Sequence, residues 1–157
     1  MRLACLLLLC LACEKESPVG ADSPEAPLRE LLLSFERRDA SAMRHAFASP
    51  DRLRKALTCP ADSTFISDLQ GAIDGADRAA SFVKGVDAKM QLRSMRETGR
   101  TVIAKGDSFR GCTATEPFEV RNFSMKLQMD AYDRVEEIDD TGDVIQLDGR
   151  WYALLKN

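Results

Sequence analysis

The chain has 157 residues, of which 45% are apolar and 30% charged, and its formal net charge is −3. This length and apolar content are enough for one domain with a single core. The negative balance argues against a nucleic-acid-binding protein, because such binding draws mainly on Lys and Arg that neutralise phosphates.

The first twelve residues have the pattern of a secretory signal peptide. Met1 and Arg2 form a short positive segment, and Leu3 to Ala12 are apolar and rich in leucine. As a helix this stretch would reach only about 15 Å, which is too short to span a bilayer. It therefore fits a signal peptide at residues 1–12 better than a transmembrane helix.

Leu11, Ala12 and Cys13 follow the leucine run and resemble the lipobox of bacterial lipoproteins. In that family the cysteine is acylated and begins the mature protein, so the resemblance implies a lipid anchor at Cys13. Cys10 stands where the family prefers leucine, and ordinary signal-peptidase cleavage after Ala12 is the alternative. In a Gram-negative cell the family's sorting rules favour the outer membrane, facing the periplasm, because Glu14 and not Asp follows the cysteine.

Two of the five cysteines remain for the folded domain. Cys5 and Cys10 would be removed with the signal peptide, and the thiol of Cys13 would be acylated. In an exported chain the remaining pair, Cys59 and Cys112, predicts a disulfide, with two separate buried thiols as the alternative. Two cysteines and one distant histidine do not make a metal-ligand set, so we expect no metal and no cofactor.

The domain is predicted to follow a tether. Residues 13–22 comprise the lipidated cysteine and a polar stretch without an apolar period. As flexible chain its nine residues after Cys13 would reach about 17 Å. Residues 23–157 contain neither a repeat nor a second linker and are predicted to form one domain.

Helical signals fill the first half of that domain. Ser23, Asp39 and Ser49 are candidate N-caps, and Pro24 and Pro50 follow the first and third of them. Helical spacing continues from residue 63 to residue 84. Each of the first three predicted helices has one apolar face. In chain order, these faces contain Leu28, Leu31, Leu32 and Phe35; Met43, Ala46 and Phe47; and Leu53, Ala56 and Leu57.

After Gly85 the apolar period changes to two, which is typical of β-strands. A strand begins near Met90, and residues 98–100 are predicted to turn into a second strand at 101–104. The clearest alternation is formed by Phe123, Met125, Leu127 and Met129.

Asp148-Gly149 lies between two apolar runs and predicts a type I′ hairpin. A two-residue loop would pair Ile145 with Tyr152 and Val144 with Ala153. Because both faces of this hairpin are apolar, we expect it to be covered on both sides.

Helices followed by antiparallel strands predict an α+β domain that ends in a β-hairpin. The helix pair from Leu28 to Phe47, with its break at 38–39, and the ending GDVIQLDGRWYALLKN resemble the nuclear-transport-factor-2-like superfamily. The resemblance implies that the N-terminal helices pack on a curved antiparallel sheet and form a cone with a pocket. Small exported members are often binding modules or accessory domains, and others are isomerases or dehydratases.

Catalytic motifs are missing from the sequence. It has no G-x-S-x-G, no P-loop and, after the signal, no C-x-x-C. His45, the one histidine, is predicted to face solvent. The acidic run 139–143 lacks the spacing of a calcium loop, since its glycine is fourth and not sixth. We interpret it as a solvated acidic turn, and Trp151 and Tyr152 as core residues.

The sequence thus predicts a membrane-anchored cell-envelope lipoprotein with a non-catalytic binding or accessory domain. Its partners would be the membrane, through the lipid anchor, and an envelope protein or a small-molecule ligand. The first alternative is a small pocket enzyme of isomerase or dehydratase type, with a buried carboxylate as general base. The second is a structural module that binds a partner through a flat apolar patch.

Overall fold

The computed structural model describes residues 20–83, 89–131 and 134–154. It confirms the predicted α+β class, with helices that precede a long antiparallel sheet and a hairpin at the end. The helices are α1 (Ala26–Arg37), α2 (Ala40–Ala46), α3 (Pro50–Ala56) and α4 (Phe65–Val83).

The strands form two antiparallel sheets. The long sheet has the order β2-β5-β6-β7, and a small sheet has the order β1-β4-β3. The strands of the long sheet are β2 (Lys89–Ile103), β5 (Phe118–Ala131), β6 (Arg134–Leu147) and β7 (Arg150–Leu154). Those of the small sheet are β1 (Leu57–Thr58), β3 (Ser108–Phe109) and β4 (Cys112–Ala114).

Two of the three predicted helix caps are confirmed. Asp39 Oδ1 accepts a hydrogen bond from the backbone N–H of Ala42 at 3.0 Å, and Ser49 Oγ accepts one from Arg52 at 3.3 Å. The prediction for Ser23 is wrong, because α1 begins at Ala26 and has Glu25 as its N-cap. The Ser23 carbonyl instead accepts the N–H of Ala26, which closes a turn before the helix.

The predicted turn at 98–100 is wrong, because β2 runs through these residues. Its pairing with β5 passes from Glu97 opposite Phe123 to Gly99 opposite Asn122, so Thr98 is the extra residue of a β-bulge. A Cβ at Gly99 would lie 2.9 Å from Asn122 Oδ1. The glycine thus allows β2 to lie close to the Asn122 side chain of β5, and it does not reverse the chain direction.

The acidic run 139–143 is also not a turn, since all five residues pair with β5 as part of β6. The strand accommodates the charges because alternate side chains point to opposite faces. Asp139 is exposed, whereas Asp143 on the same face is bonded to Arg110 and Asn122.

The hairpin prediction is confirmed in both turn and register. Asp148 and Gly149 have φ values of 52° and 74°, as a type I′ turn requires. Ile145 lies opposite Tyr152 and Val144 opposite Ala153, and all four residues are fully buried. The β6–β7 hairpin is therefore covered on both faces, as predicted.

Two apolar clusters lie on opposite faces of this hairpin. One contains Ile145 and Tyr152 and extends to α3, α4 and the small sheet. The other contains Val144, Trp151 and Leu28 of α1. The long sheet is thus the central layer of the described structure, with α1 on one of its faces.

The last residues of the predicted tether are bonded to the sheet. Ala21 and Trp151 exchange two backbone hydrogen bonds of 2.9 Å. The Arg150 guanidinium donates to the Gly20 carbonyl at 2.5 Å and also pairs with Asp22. Residues 20–22 therefore lie along the outer edge of β7.

Candidate functional site

The apolar face of α1 forms one wall of a groove. Leu28 is buried, while Leu31, Leu32 and Phe35 are half-buried. Their spacing places them on one side of the helix over about 10 Å of its length. This side of α1 packs toward α2, β2 and β7.

Methionines of the long sheet form the floor of the groove. Met95 of β2 lies opposite Met125 of β5, and Met90 lies opposite Met129. Met125 is buried and Met90 half-buried, and both line the groove. Because methionine is unbranched and flexible, such a floor can adapt its shape to an occupant.

Gly142 of β6 brings α1 close to the sheet. A Cβ at this position would lie 2.7 Å from Leu28 Cδ2 and 3.2 Å from Met125 Cε. A larger residue would have to displace the side chain of Leu28 or of Met125, or move the helix. The glycine therefore allows the Leu28 side chain to lie directly against β6.

Asp140 places a carboxylate at the groove. It is half-buried on β6 opposite Met125, and its Oδ1 accepts a hydrogen bond from the backbone N–H of Thr141 at 2.8 Å. Among the described residues that line the groove, it is the charged one. The groove thus combines an apolar wall and floor with one anionic group.

The groove has a volume of about 300 Å³. This lies at the lower end of the range for small-molecule sites, which are mostly apolar with a few placed polar groups. The described residues that line it are Leu28, Leu31, Leu32, Phe35, Met43, Phe47, Met90, Met125, Asp140, Thr141, Gly142 and Leu154.

A second polar cluster is centred on Arg110, in the tight turn between β3 and β4. Its guanidinium donates to Asp143 at 2.8 Å and lies 5.2 Å and 5.6 Å from the ring centres of Phe65 and Phe109. Burial lowers the pKa of Arg110, and the Asp143 carboxylate partly offsets this effect. Arginine stays protonated in proteins, so the cluster is suited to joining the two sheets and not to proton transfer.

A third cluster lies beside Trp151. The Arg121 guanidinium is 5.1 Å from the indole centre and donates to Glu119 at 2.5 Å and to Glu97 at 3.0 Å. Burial alone raises the pKa of Glu119, but hydrogen bonds from Arg121 and Arg100 outweigh it and bring the pKa below its usual value. These residues also form charge pairs that stabilise the fold.

The disulfide between Cys59 and Cys112 is present, with 4.2 Å between the two Cα atoms. Leu57 lies opposite Ala114 and Thr58 opposite Thr113, so the two cysteines continue the same antiparallel register. The bond therefore links β1 to β4 within the small sheet. Neither cysteine lines the groove.

The other residues singled out in the sequence are Cys13, His45, Trp151 and Tyr152. Cys13 lies outside the described residues. His45 is exposed, and Trp151 and Tyr152 are buried core residues, as predicted. No three His, Cys, Asp or Glu side chains meet as a potential metal site within residues 20–83, 89–131 and 134–154.

Asp140 is a groove residue that the sequence did not predict, because the acidic run 139–143 was interpreted as a turn. A signal was available in the period-two pattern of Ile138, Asp140, Gly142 and Val144, which share one face of β6. That pattern would have placed one carboxylate beside the apolar face and its neighbour Asp139 on the other.

Comparisons with models of known protein families, with curated proteins and with solved structures found no match for this chain. Within the described part of the chain, no helix combines the length and apolar character that crossing a membrane requires.

Proposed function

We propose that this protein is an exported, lipid-anchored envelope protein whose domain binds a small apolar ligand without catalysing a reaction. The observation that carries the binding role is the groove between α1 and the long sheet. Eleven of the lining residues carry no charge, and most are aliphatic or aromatic. Burying apolar surface there contributes about 25 cal/mol per Å² removed from water.

A pocket between helices and sheet is also what the resemblance to the nuclear-transport-factor-2-like superfamily implies. The groove has a floor and walls from α1, α2 and the long sheet, and it differs in this from the flat patch of a purely structural module. The chemistry of the lining favours an apolar small molecule over a polar metabolite, because a buried polar group without a partner is costly.

The N-terminal pattern supports the anchored location. Leu11, Ala12 and Cys13 resemble a lipobox, and acylation at Cys13 would supply the membrane partner. Several acyl chains on one cysteine hold a protein stably, because each buried CH₂ contributes about 0.8 kcal/mol. Since Gly20 is bonded to Arg150, the seven residues from Cys13 can span at most about 25 Å.

Intact-mass spectrometry of the membrane-extracted protein tests the anchor. We expect an acylated species that begins at Cys13, and we expect Cys13→Ser to abolish acylation. Cys10→Ser is the matched control, because that thiol would leave with the signal, and it should be acylated normally. An unmodified wild-type product that begins at residue 13 would contradict the anchor.

Native mass spectrometry of the protein from its own host, with the neutral dye N-phenyl-1-naphthylamine as a second probe, tests the groove. We expect a retained ligand or enhanced dye fluorescence, and weaker dye binding in Leu31→Ala. Leu33→Ala is the matched control, since Leu33 lies on the same helix, is 40% exposed and does not line the groove. Equal dye binding in both variants would place the site elsewhere.

The alternative function, a small pocket enzyme, is favoured by one observation. Asp140 presents a half-buried carboxylate to the groove, as a general base in a pocket would. This alternative predicts that a ligand retained from the host is chemically altered on incubation with the wild type and unaltered with Asp140→Asn. Recovery of an unchanged ligand from both proteins would support the binding role.

A further inference from the structure

We infer that the disulfide between Cys59 and Cys112 is a thiol-exchange site that reacts in one direction. An external thiolate attacks the sulfur of Cys59, and the sulfur of Cys112 leaves. This inference goes beyond the proposed binding function and does not depend on the groove. Three observations carry it: the unequal burial of the two cysteines, the hydroxyl group of Ser63 beside the Cys112 sulfur, and the backbone pairing around the bond.

The two ends of the disulfide differ in access. Cys112 is 1% exposed and belongs to the apolar core cluster, whereas Cys59 is half-buried and packs against that cluster. Cys59 directly follows the end of β1 and precedes the exposed residues 60–62. Because thiol–disulfide exchange depends on which sulfur the attacking thiolate can reach, Cys59 is the favoured point of attack.

Ser63 is placed to assist the departure of Cys112. Its Oγ lies 3.7 Å from Cys112 Sγ, and the hydroxyl group is the donor because a disulfide sulfur carries no hydrogen. A negative charge on Cys112 would be costly in the apolar cluster without such a donor. The backbone N–H of Ser63 donates to the Pro60 carbonyl at 3.0 Å, which closes a turn that holds the serine beside the disulfide.

The exchange needs an external thiol and conserves atoms and electrons. The thiolate forms a bond to Cys59 Sγ, the bond between Cys59 and Cys112 breaks, and its electron pair leaves on Cys112 Sγ, which then takes a proton from water. The product is a mixed disulfide at Cys59 and a free thiol at Cys112. A second thiolate can attack the external sulfur of the mixed disulfide, which releases Cys59 and joins the two external sulfurs.

The backbone pairing around the bond makes the exchange reversible. Beside the disulfide, β1 pairs with β4, and Thr115 donates its N–H to the Ala56 carbonyl at 2.8 Å and its hydroxyl group to the Lys55 carbonyl at 2.6 Å. None of these bonds involves a cysteine side chain, so we expect them to persist when the S–S bond is broken. The two sulfurs then remain neighbours, and Cys112 can attack the mixed disulfide and restore the original bond.

Trapping of the mixed disulfide in the full chain tests the direction. Oxidised protein purified from its own host is mixed with reduced glutathione, quenched at early times with N-ethylmaleimide and mapped by mass spectrometry. We expect glutathione on Cys59 and maleimide on Cys112, about tenfold more often than the reverse arrangement. Equal amounts of the two arrangements would overturn the inference. A disulfide that reacts only after the chain is unfolded in urea would overturn it as well.

Three variants test the role of the serine. Ser63→Ala should slow the exchange about tenfold, because it removes a hydrogen bond to a developing charge. Ser63→Thr keeps a hydroxyl group and should retain most of the rate. Ser67→Ala is the matched control and should react as the wild type does, since Ser67 is exposed and donates to the Thr64 carbonyl. If Ser63 only packed the segment, Ser63→Ala would loosen it, and an equal or faster exchange would contradict the inference.

Discussion

Arg110 and Asp143 form an ion pair that joins the two sheets. Arg110 lies in the β3–β4 turn and Asp143 in β6, and their side chains are only 10% and 25% exposed at a separation of 2.8 Å. Asn122 donates a second hydrogen bond to the same carboxylate at 2.8 Å. Removal of the guanidinium would leave a half-buried carboxylate without its cation, which is a costly arrangement.

A double-mutant cycle with Arg110→Met and Asp143→Asn should therefore give a coupling free energy of about 2 kcal/mol in urea unfolding. The exposed pair Arg54–Asp51, at 2.9 Å, is the control, with an expected coupling of about 0.3 kcal/mol. Equal coupling in the two cycles would show that burial does not strengthen the first pair.

Gly142→Ala should destabilise the fold by about 2 kcal/mol, since the added methyl group would overlap Leu28. The measurement is the free energy of unfolding in urea. Gly71→Ala is the matched control, because nothing lies within 4 Å of its Cβ position on the exposed side of α4. There the substitution should stabilise by about 0.5 kcal/mol through helix propensity. A neutral result at Gly142 would mean that the Leu28 side chain or α1 accommodates the methyl group without cost.

Loss of the disulfide should cost about 4 kcal/mol, because the cross-link closes a loop with a sequence separation of 53 residues. The double variant Cys59→Ser/Cys112→Ser should unfold at lower urea concentration than the oxidised wild type. Wild type treated with a reducing agent is the control and should approach the double variant. An unchanged midpoint in both samples would refute the contribution of this bond.

Glu119 should make the free energy of unfolding depend on pH in the acidic range. Its folded-state pKa lies below its usual value of 4.5, so it stabilises the fold above that value and loses this contribution as pH falls through the folded pKa. The difference in unfolding free energy between wild type and Glu119→Gln should shrink between about pH 6 and pH 3. Glu116→Gln, the same substitution at an exposed residue, serves as the control. A difference that stays constant would argue against the ion pairs of Glu119.

Local patterns predicted the elements that local chemistry determines. Asp148-Gly149 can adopt the two positive φ values of a type I′ turn, and this fixed the register of Ile145 against Tyr152. The caps at Asp39 and Ser49 were predictable for a similar reason, since each side chain bonds the backbone three residues later. Such signals require no knowledge of distant residues.

The predictions that were wrong concern residues whose structure depends on partners far away in the sequence. Gly99 has the local signature of a turn, but its role depends on Asn122 across the sheet. The sequence predicts that Asp140 and Asp143 face solvent. In the fold, Asp140 lies beside α1 at the groove, and Asp143 pairs with Arg110. The apolar face of α1 was evident in the sequence, but the groove needed the pairing of β5 with β6 to bring Asp140 to it.

The pairing of Ala21 with Trp151 has a consequence for the order of folding. Ala21 and Trp151 exchange two backbone hydrogen bonds, and the adjacent bond between Gly20 and Arg150 joins residues that are 130 positions apart in the sequence. The β6–β7 hairpin, in contrast, joins residues that are close in sequence. Since contacts between distant residues form slowly, the outer edge of β7 is expected to gain its pairing with Ala21 after the hairpin has formed.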